Sequence, residues 1–231
     1  MHVPHLIAGT TPLLLVADHA ARDVPRGIDL GVAAHVFATH VAVDLGVAEL
    51  TAALAAALDA PAILGAVSRL VVDLNRPPDA AIPLTSDGVA VPGNSLDAAA
   101  RAARIATWHA PYHAALAAHL DTVPPRLIVS IHSFTPALSA SAEPRPWPIG
   151  ILYNTDNRAA RIALPLLRAE GLDAGDNQPY SGRDLNYTMD RHAEARGIPY
   201  LGIEVRQDQL ANGADAARWA TLLAPVIRAC V

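Results

Sequence analysis

The sequence predicts one three-layer α/β domain, with helices on both faces of a largely parallel or mixed sheet. Two observations carry this. Apolar runs of strand length alternate with longer Ala- and Leu-rich stretches of helical periodicity. The chain, at 231 residues, is long enough to bury a sizeable core without disulfide or structural metal. Its segments rich in Pro, Gly, Ser and Asp fall between elements, with no repeat and no convincing linker, so residues 1–231 read as a single domain.

The opening MHVPHLIAGTTPLLLVADHA has a short apolar run, no positive start and two prolines. It is too short for a membrane span and poorly built for a signal peptide, so a cytoplasmic protein is expected. Strands are expected at 13–17 (LLLVA), 62–67, 70–74 (LVVDL), 127–131, 149–153 and 200–205. Helices are expected at 44–58, 95–120, 157–170, 186–196 and 214–229. Segments 76–95 and 136–148 read as long loops, which in a compact domain often serve as lids or pocket walls.

Composition narrows the chemistry. The single cysteine, Cys230, excludes an internal disulfide and a cysteine-built zinc site, so any metal must be held by His, Asp or Glu. Net charge is −5 with no basic cluster, which argues against nucleic acid or an anionic membrane as partner. All 17 basic residues are Arg; without Lys there is no Schiff base, no Lys general base and no Walker-type phosphate loop.

Three apolar runs close on chemistry-bearing residues. LLLVADHA delivers Asp18 and His19, LIVSIHSF delivers His132, and YLGIEVRQD delivers Glu204 and Arg206. In an open α/β sheet such strand ends converge on one crevice. Two imidazoles and a carboxylate are the usual protein ligands of a catalytic zinc. The carboxylate could be Asp44, Asp18 or Asp23. Alternation along a strand counts against Asp18 joining His19, and Asp44 could simply cap the helix expected at 44–58. Glu204 is either ion-paired or a working general base, because a buried lone carboxylate is costly.

SRLVVDLNRPPD, residues 68–79, adds Arg69, Asp73, Asn75 and Arg76. A guanidinium grips a carboxylate at two points, so Arg69 and Arg76 are candidates for an oxyanion or a substrate carboxylate, with Asp73 holding one of them. On helix 95–120, His113 shares a face with Trp108, His109 and Tyr112 and is a weaker pocket candidate. His35 and His119 look like rim residues, and His40 could pair with Asp44 only if the helix starts early. Tyr180, in the turn-rich segment from 177, is a further candidate for the substrate pocket, as is Arg206. Ser133 and Ser181 lack the G-x-S-x-G elbow of a serine hydrolase.

In order, ADHAARDVP, THVAVDLGVAEL, SRLVVDLNR, PYHAAL, IHSFTP, NQPYSG and GIEVRQD resemble the N-formylglutamate amidohydrolase family, from about residue 12 to 210. The match is to the looser branch, whose first motif reads like EHA; here it reads DHA. The resemblance implies a phosphorylase/hydrolase-like αβα fold, akin to zinc carboxypeptidases and aspartoacylase. It implies a zinc ion on His19, His132 and Asp44, with Glu204 as catalytic carboxylate and Arg69, Asn75 and Arg76 in the substrate segment. The expected activity is hydrolysis of an N-acyl amino acid such as N-formylglutamate, by metal-activated water with Glu204 as base and Arg69 at the oxyanion. The alternatives are an aminoacylase- or carboxypeptidase-like hydrolase of another N-acyl amino acid or short peptide, and a non-catalytic binder of metal or carboxylate. The expected partner is a small carboxylate substrate; the sequence leaves the oligomeric state open.

Overall fold

Leu13–Ala17 (β2) is buried at every residue, and its side chains divide between two apolar clusters on opposite faces of the sheet. Helices therefore cover both faces, and the run shows no polar alternation for that reason. The computed structural model describes residues 4–138 and 143–231.

The other strands are His5–Ile7 (β1), Ala62–Leu64 (β3), Leu127–Phe134 (β6), Ile149–Leu152 (β7), Ala174–Asp176 (β8) and Tyr200–Arg206 (β9). With β2 they form a seven-stranded sheet of order β1-β3-β2-β6-β9-β7-β8. The central β3, β2, β6 and β9 run parallel, while β1 and β7 enter antiparallel. Val47–Leu58 (α1), Arg158–Ala169 (α4) and Gly213–Ala229 (α6) cover one face. The other carries Ala98–Arg104 (α2) and Ala110–Thr122 (α3), joined by a π-helical turn, and Tyr187–His192 (α5). Thr85–Ser86 (β4) and Val89–Ala90 (β5) make a separate small hairpin. No helix among the described residues is long and apolar enough to cross a membrane.

The mixed α/β architecture follows the expectation, with corrections. Residues 70–74 are not a strand. The backbone turns there, with Val71 and Val72 N–H both donating to the Ser68 carbonyl while Ser68 Oγ donates to Ala42 O. Leu70, Val71, Val72 and Leu74 are buried all the same, and an apolar run alone does not distinguish a strand from a core-packed turn. Helix 44–58 begins at Val47 with Gly46 at its cap, so Asp44 lies outside it. β1, β8 and the hairpin were not expected; each is three residues or fewer, too short for a periodic signal. Strand 62–67 stops at Leu64, and just beyond it Gly65 passes so close to Asp18 that a Cβ there would sit 2.1 Å from the Asp18 carbonyl oxygen. Of the loop expected at 136–148, residues 139–142 lie outside those described.

Candidate active site

β2, β6 and β9 are neighbours, and their C-terminal ends bring three side chains to one place. His19 follows β2, His132 lies in β6, and Glu204 sits opposite His132 in β9. Asp44 is tied in from the turn before α1, its N–H donating to the His19 carbonyl. Asp44 Oδ2 lies 2.9 Å from His132 Nδ1 and 3.4 Å from His19 Nδ1. The three residues are buried, with ligand atoms all within 4.8 Å of one another. Tetrahedral donors about 2.0–2.1 Å from a zinc ion lie about 3.3 Å apart, so the spacing fits.

A second observation supports a cation. Each imidazole turns Nδ1 inward to Asp44 and its Nε2 outward to another carboxylate. His19 Nε2 meets Asp73 Oδ1 at 2.7 Å, and His132 Nε2 lies 3.5 Å from Asp18 Oδ2. Metal-bound histidines are ordinarily oriented by such an outer carboxylate. His19 Nδ1 is buried with no hydrogen-bond partner. An inward ring nitrogen left without a partner costs free energy unless something fills the place. The donors fit a divalent ion.

Asp18 is fixed from behind. Its Oδ1 accepts from Tyr112 Oη at 2.7 Å and from Thr188 Oγ1 at 2.9 Å. Strand alternation therefore holds, since Asp18 is spent on Tyr112 and Thr188, while its Oδ2 lies near the other imidazole, 3.5 Å from His132 Nε2.

Without an ion the site holds protons. Burial lowers the His132 pKa, but Asp18 and Asp44 outweigh it and hold the ring well above its ordinary range. Burial would raise Asp44, but Arg69, His19 and His132 hold it well below. Burial raises Glu204, His132 pulls it back and Asp44 pushes it up again, leaving it at about 7. Metal and protons compete for the same nitrogens. Calorimetric titration with zinc near pH 7, in buffers of different ionisation enthalpy, should thus report release of about one proton or more per ion. A binding enthalpy independent of buffer would contradict this arrangement.

Arg69 Nη1 donates to Asp44 Oδ1 at 2.9 Å, and its Nε lies 3.7 Å from Asp73. Arg69, Asn75, Arg76 and Tyr180 line a cavity of about 530 Å³ that also reaches His19, Asp44, His132 and Glu204. That size is ordinary for a small-molecule site. Asn75 Oδ1 accepts from Thr188 N–H, so its NH₂ is what it can offer a ligand. Two expected pocket residues lie elsewhere. His113 is buried behind the wall, its Nε2 donating to Leu74 O and its Nδ1 2.9 Å from His192 Nε2. With His109 bonded to Arg76 O, it anchors the backbone that carries Asn75 and Arg76. Arg206 spends its guanidinium on Asp208 and on the carbonyls of Arg145 and Pro146. His40, on the cavity rim, pairs with Asp87 at 2.8 Å and not with Asp44. Asp23 is absent from the ligand group.

The model of the family described as N-formylglutamate amidohydrolase matches residues 11–211, which is most of the chain and spans every residue of this site. The chain belongs to the N-formylglutamate amidohydrolase family. Among solved structures, the gene product Atu2144 from Agrobacterium tumefaciens is 31% identical with a TM-score of 0.94, covering 100% of this chain and 95% of that one. N-formylglutamate amidohydrolase from Ralstonia eutropha shares 18% identity with a TM-score of 0.69, over 100% of both chains. The CwlD amidase from Clostridioides difficile, in complex with the GerS lipoprotein, shares the fold at 12% identity and a TM-score of 0.52, over 94% of this chain and 97% of that one. Comparison with curated proteins gave no match. The chain is thus an amidohydrolase by family.

The family segment PYHAAL contains the buried histidine pair's first member. Burial pushes His113 down to about 3 and His192 to about 4. The unfolded chain takes up protons on these rings below about pH 6.5; the folded chain refuses them until far lower. The pair's own contribution to stability should therefore fall with pH from about 6.5 downward, by on the order of 2–4 kcal/mol at pH 5, while the raised Glu204 and His132 contribute with the opposite sign. In urea unfolding of the metal-free protein, His192→Gln should flatten that slope relative to wild type. An unchanged slope would remove the pair from the account.

Proposed function

We propose that this amidohydrolase uses a divalent metal, zinc by its donor set, to cleave the amide of an N-acyl amino acid; N-formylglutamate is the substrate its family is named for. The observation that carries the reading is the buried group of His19, Asp44 and His132 with both Nδ1 atoms turned to Asp44 Oδ2, set beside Glu204 in one cavity. A divalent ion there supplies Lewis acidity, lowering the pKa of a water to near 7 and polarising a carbonyl.

The chain does the rest. Glu204, whose pKa of about 7 suits proton exchange in both directions, takes the proton of the attacking water and returns it to the leaving nitrogen. Arg69, held by Asp44 and Asp73, steadies Asp44 and faces the developing oxyanion. Arg76, with Asn75 beside it, takes the substrate carboxylate. Tyr180 completes the wall. A pure binder of metal or carboxylate has no use for a buried Glu of raised pKa, which favours the enzyme. Its partner is a small soluble carboxylate, neither nucleic acid nor membrane, and we place it in the cytoplasm.

The test compares N-acyl amino acids with their amides on metal-loaded protein. Losing a charge-assisted carboxylate contact in a desolvated pocket costs about 2–5 kcal/mol. Arg76→Ala should lower kcat/KM for the acids tens- to thousands-fold and barely touch the amides. Equal activity on acids and amides in the wild type would refute the role of Arg76.

A further inference from the structure

The cavity is poor in free positive charge. Of the described residues lining it, Arg69 and Arg76 are the guanidiniums, against the carboxylates of Asp44, Asp73, Asp87 and Glu204. A doubly charged ion only balances that set. Arg69 is already committed to Asp44 and Asp73, and His40 to Asp87. Arg76 has no ion pair or side-chain hydrogen bond among the described residues, and so is the one uncommitted cation on the lining. Arg145 and Arg206, outside the lining, are already bonded elsewhere. Arg145 lies behind Tyr180, donating to its hydroxyl and to Thr135 O, and Arg206 is spent on Asp208. Residues 139–142, Ser-Ala-Ser-Ala, bring no basic side chain.

Opposite in character is the wall built by the end of β6, the end of β7 and the loop before α5. Phe134 and Tyr180 share the Arg145 guanidinium, 6.0 and 4.7 Å from their ring centres. Leu152, Leu138 and Leu185 continue the lining. The loop lies hard against β7, where a Cβ on Gly182 would meet the Tyr153 backbone at 2.5 Å. This wall adds apolar side chains to the lining, and the guanidinium stacked on its rings, Arg145, is not itself a lining residue.

We infer that this enzyme acts on N-acyl amino acids carrying a single carboxylate and an apolar side chain, with Arg76 taking the carboxylate and the Phe134–Leu152–Leu185 wall taking the side chain. The inference rests on the N-acyl amino acid reading above. A dicarboxylate such as N-formylglutamate would leave its second carboxylate desolvated, unpaired and near like charges, which is costly.

The test fixes the acyl group and varies the side chain: the N-formyl and N-acetyl derivatives of Leu, Phe and Glu, on zinc-loaded protein. An apolar pocket discriminates about 10–200-fold per group it accepts, so kcat/KM for Leu or Phe should exceed that for Glu at least tenfold. The same compounds titrated calorimetrically into zinc-loaded Glu204→Gln should bind in the same order, which reads recognition apart from turnover. Leu185→Arg, a loop substitution adding a second cation, should shrink the Leu-to-Glu ratio at least tenfold. Hydrolysis with Glu equal or preferred, or a preference that follows acyl length and ignores side chain, overturns the inference and leaves amide hydrolysis standing. No turnover of any of the six overturns the amidohydrolase reading itself. Tighter binding of the Glu derivatives to Glu204→Gln overturns the inference even then.

Discussion

Glu204→Gln should lose about 10²–10⁴-fold in kcat while its zinc content stays that of the wild type. The amide keeps the shape of the carboxyl group and gives up its basicity. Glu204 is buried opposite His132, its Oε2 has no hydrogen-bond partner, and burial holds its pKa near 7. Such a group is suited to taking and returning a proton, not to a permanent ion pair. Because it is not one of the three clustered donors, the substitution should leave metal binding alone. Metal analysis beside steady-state kinetics checks both halves. Near-wild-type turnover would exclude Glu204 as the base, and loss of metal along with activity would make it a ligand.

Asp44→Ala should abolish metal binding and activity together, and destabilise the fold as well. Asp44 accepts from Arg69, is hydrogen-bonded to His132, and lies 3.4 Å from His19 Nδ1. Removing one partner of a buried ion pair costs about 3–5 kcal/mol, because the cations it faced remain buried. Asp44→Asn keeps the volume and part of the hydrogen bonding, so it should fold better and still bind zinc weakly. Equilibrium unfolding and a zinc titration of both variants separate these effects. An Asp44→Ala protein with wild-type zinc content would contradict the ligand assignment.

The sheet and the convergence of His19, His132 and Glu204 were legible because each follows or ends an apolar run, and parallel neighbours must deliver such ends side by side. Asp44 could be named but not decided between: the signal at its position was a helix start, and the turn that instead ties its N–H to the His19 carbonyl has no local pattern. Alternation counts against Asp18 without excluding it; in the fold Asp18 is bonded to Tyr112 and Thr188, and that it lies behind His132 depends on which strand is beside β2. Periodicity grouped His109 and His113 on one face but could not tell whether that face met the cavity or the core. It meets the core, and their ring nitrogens hold the carbonyls of Leu74 and Arg76. The apolar run at 70–74 signals burial, which suits a strand as well as a core-packed turn, and Ser68 folds it into the turn.

The proposed chemistry requires His19, Asp44 and His132 to hold one divalent ion on which turnover depends. The direct measurement is titration of chelator-stripped protein with zinc, following hydrolysis of an N-acyl amino acid together with bound metal. The account predicts activity near zero at the start, rising linearly to a plateau at one ion per chain. Full turnover by the stripped protein, or a plateau reached with His19→Ala and His132→Ala together in place, would contradict it.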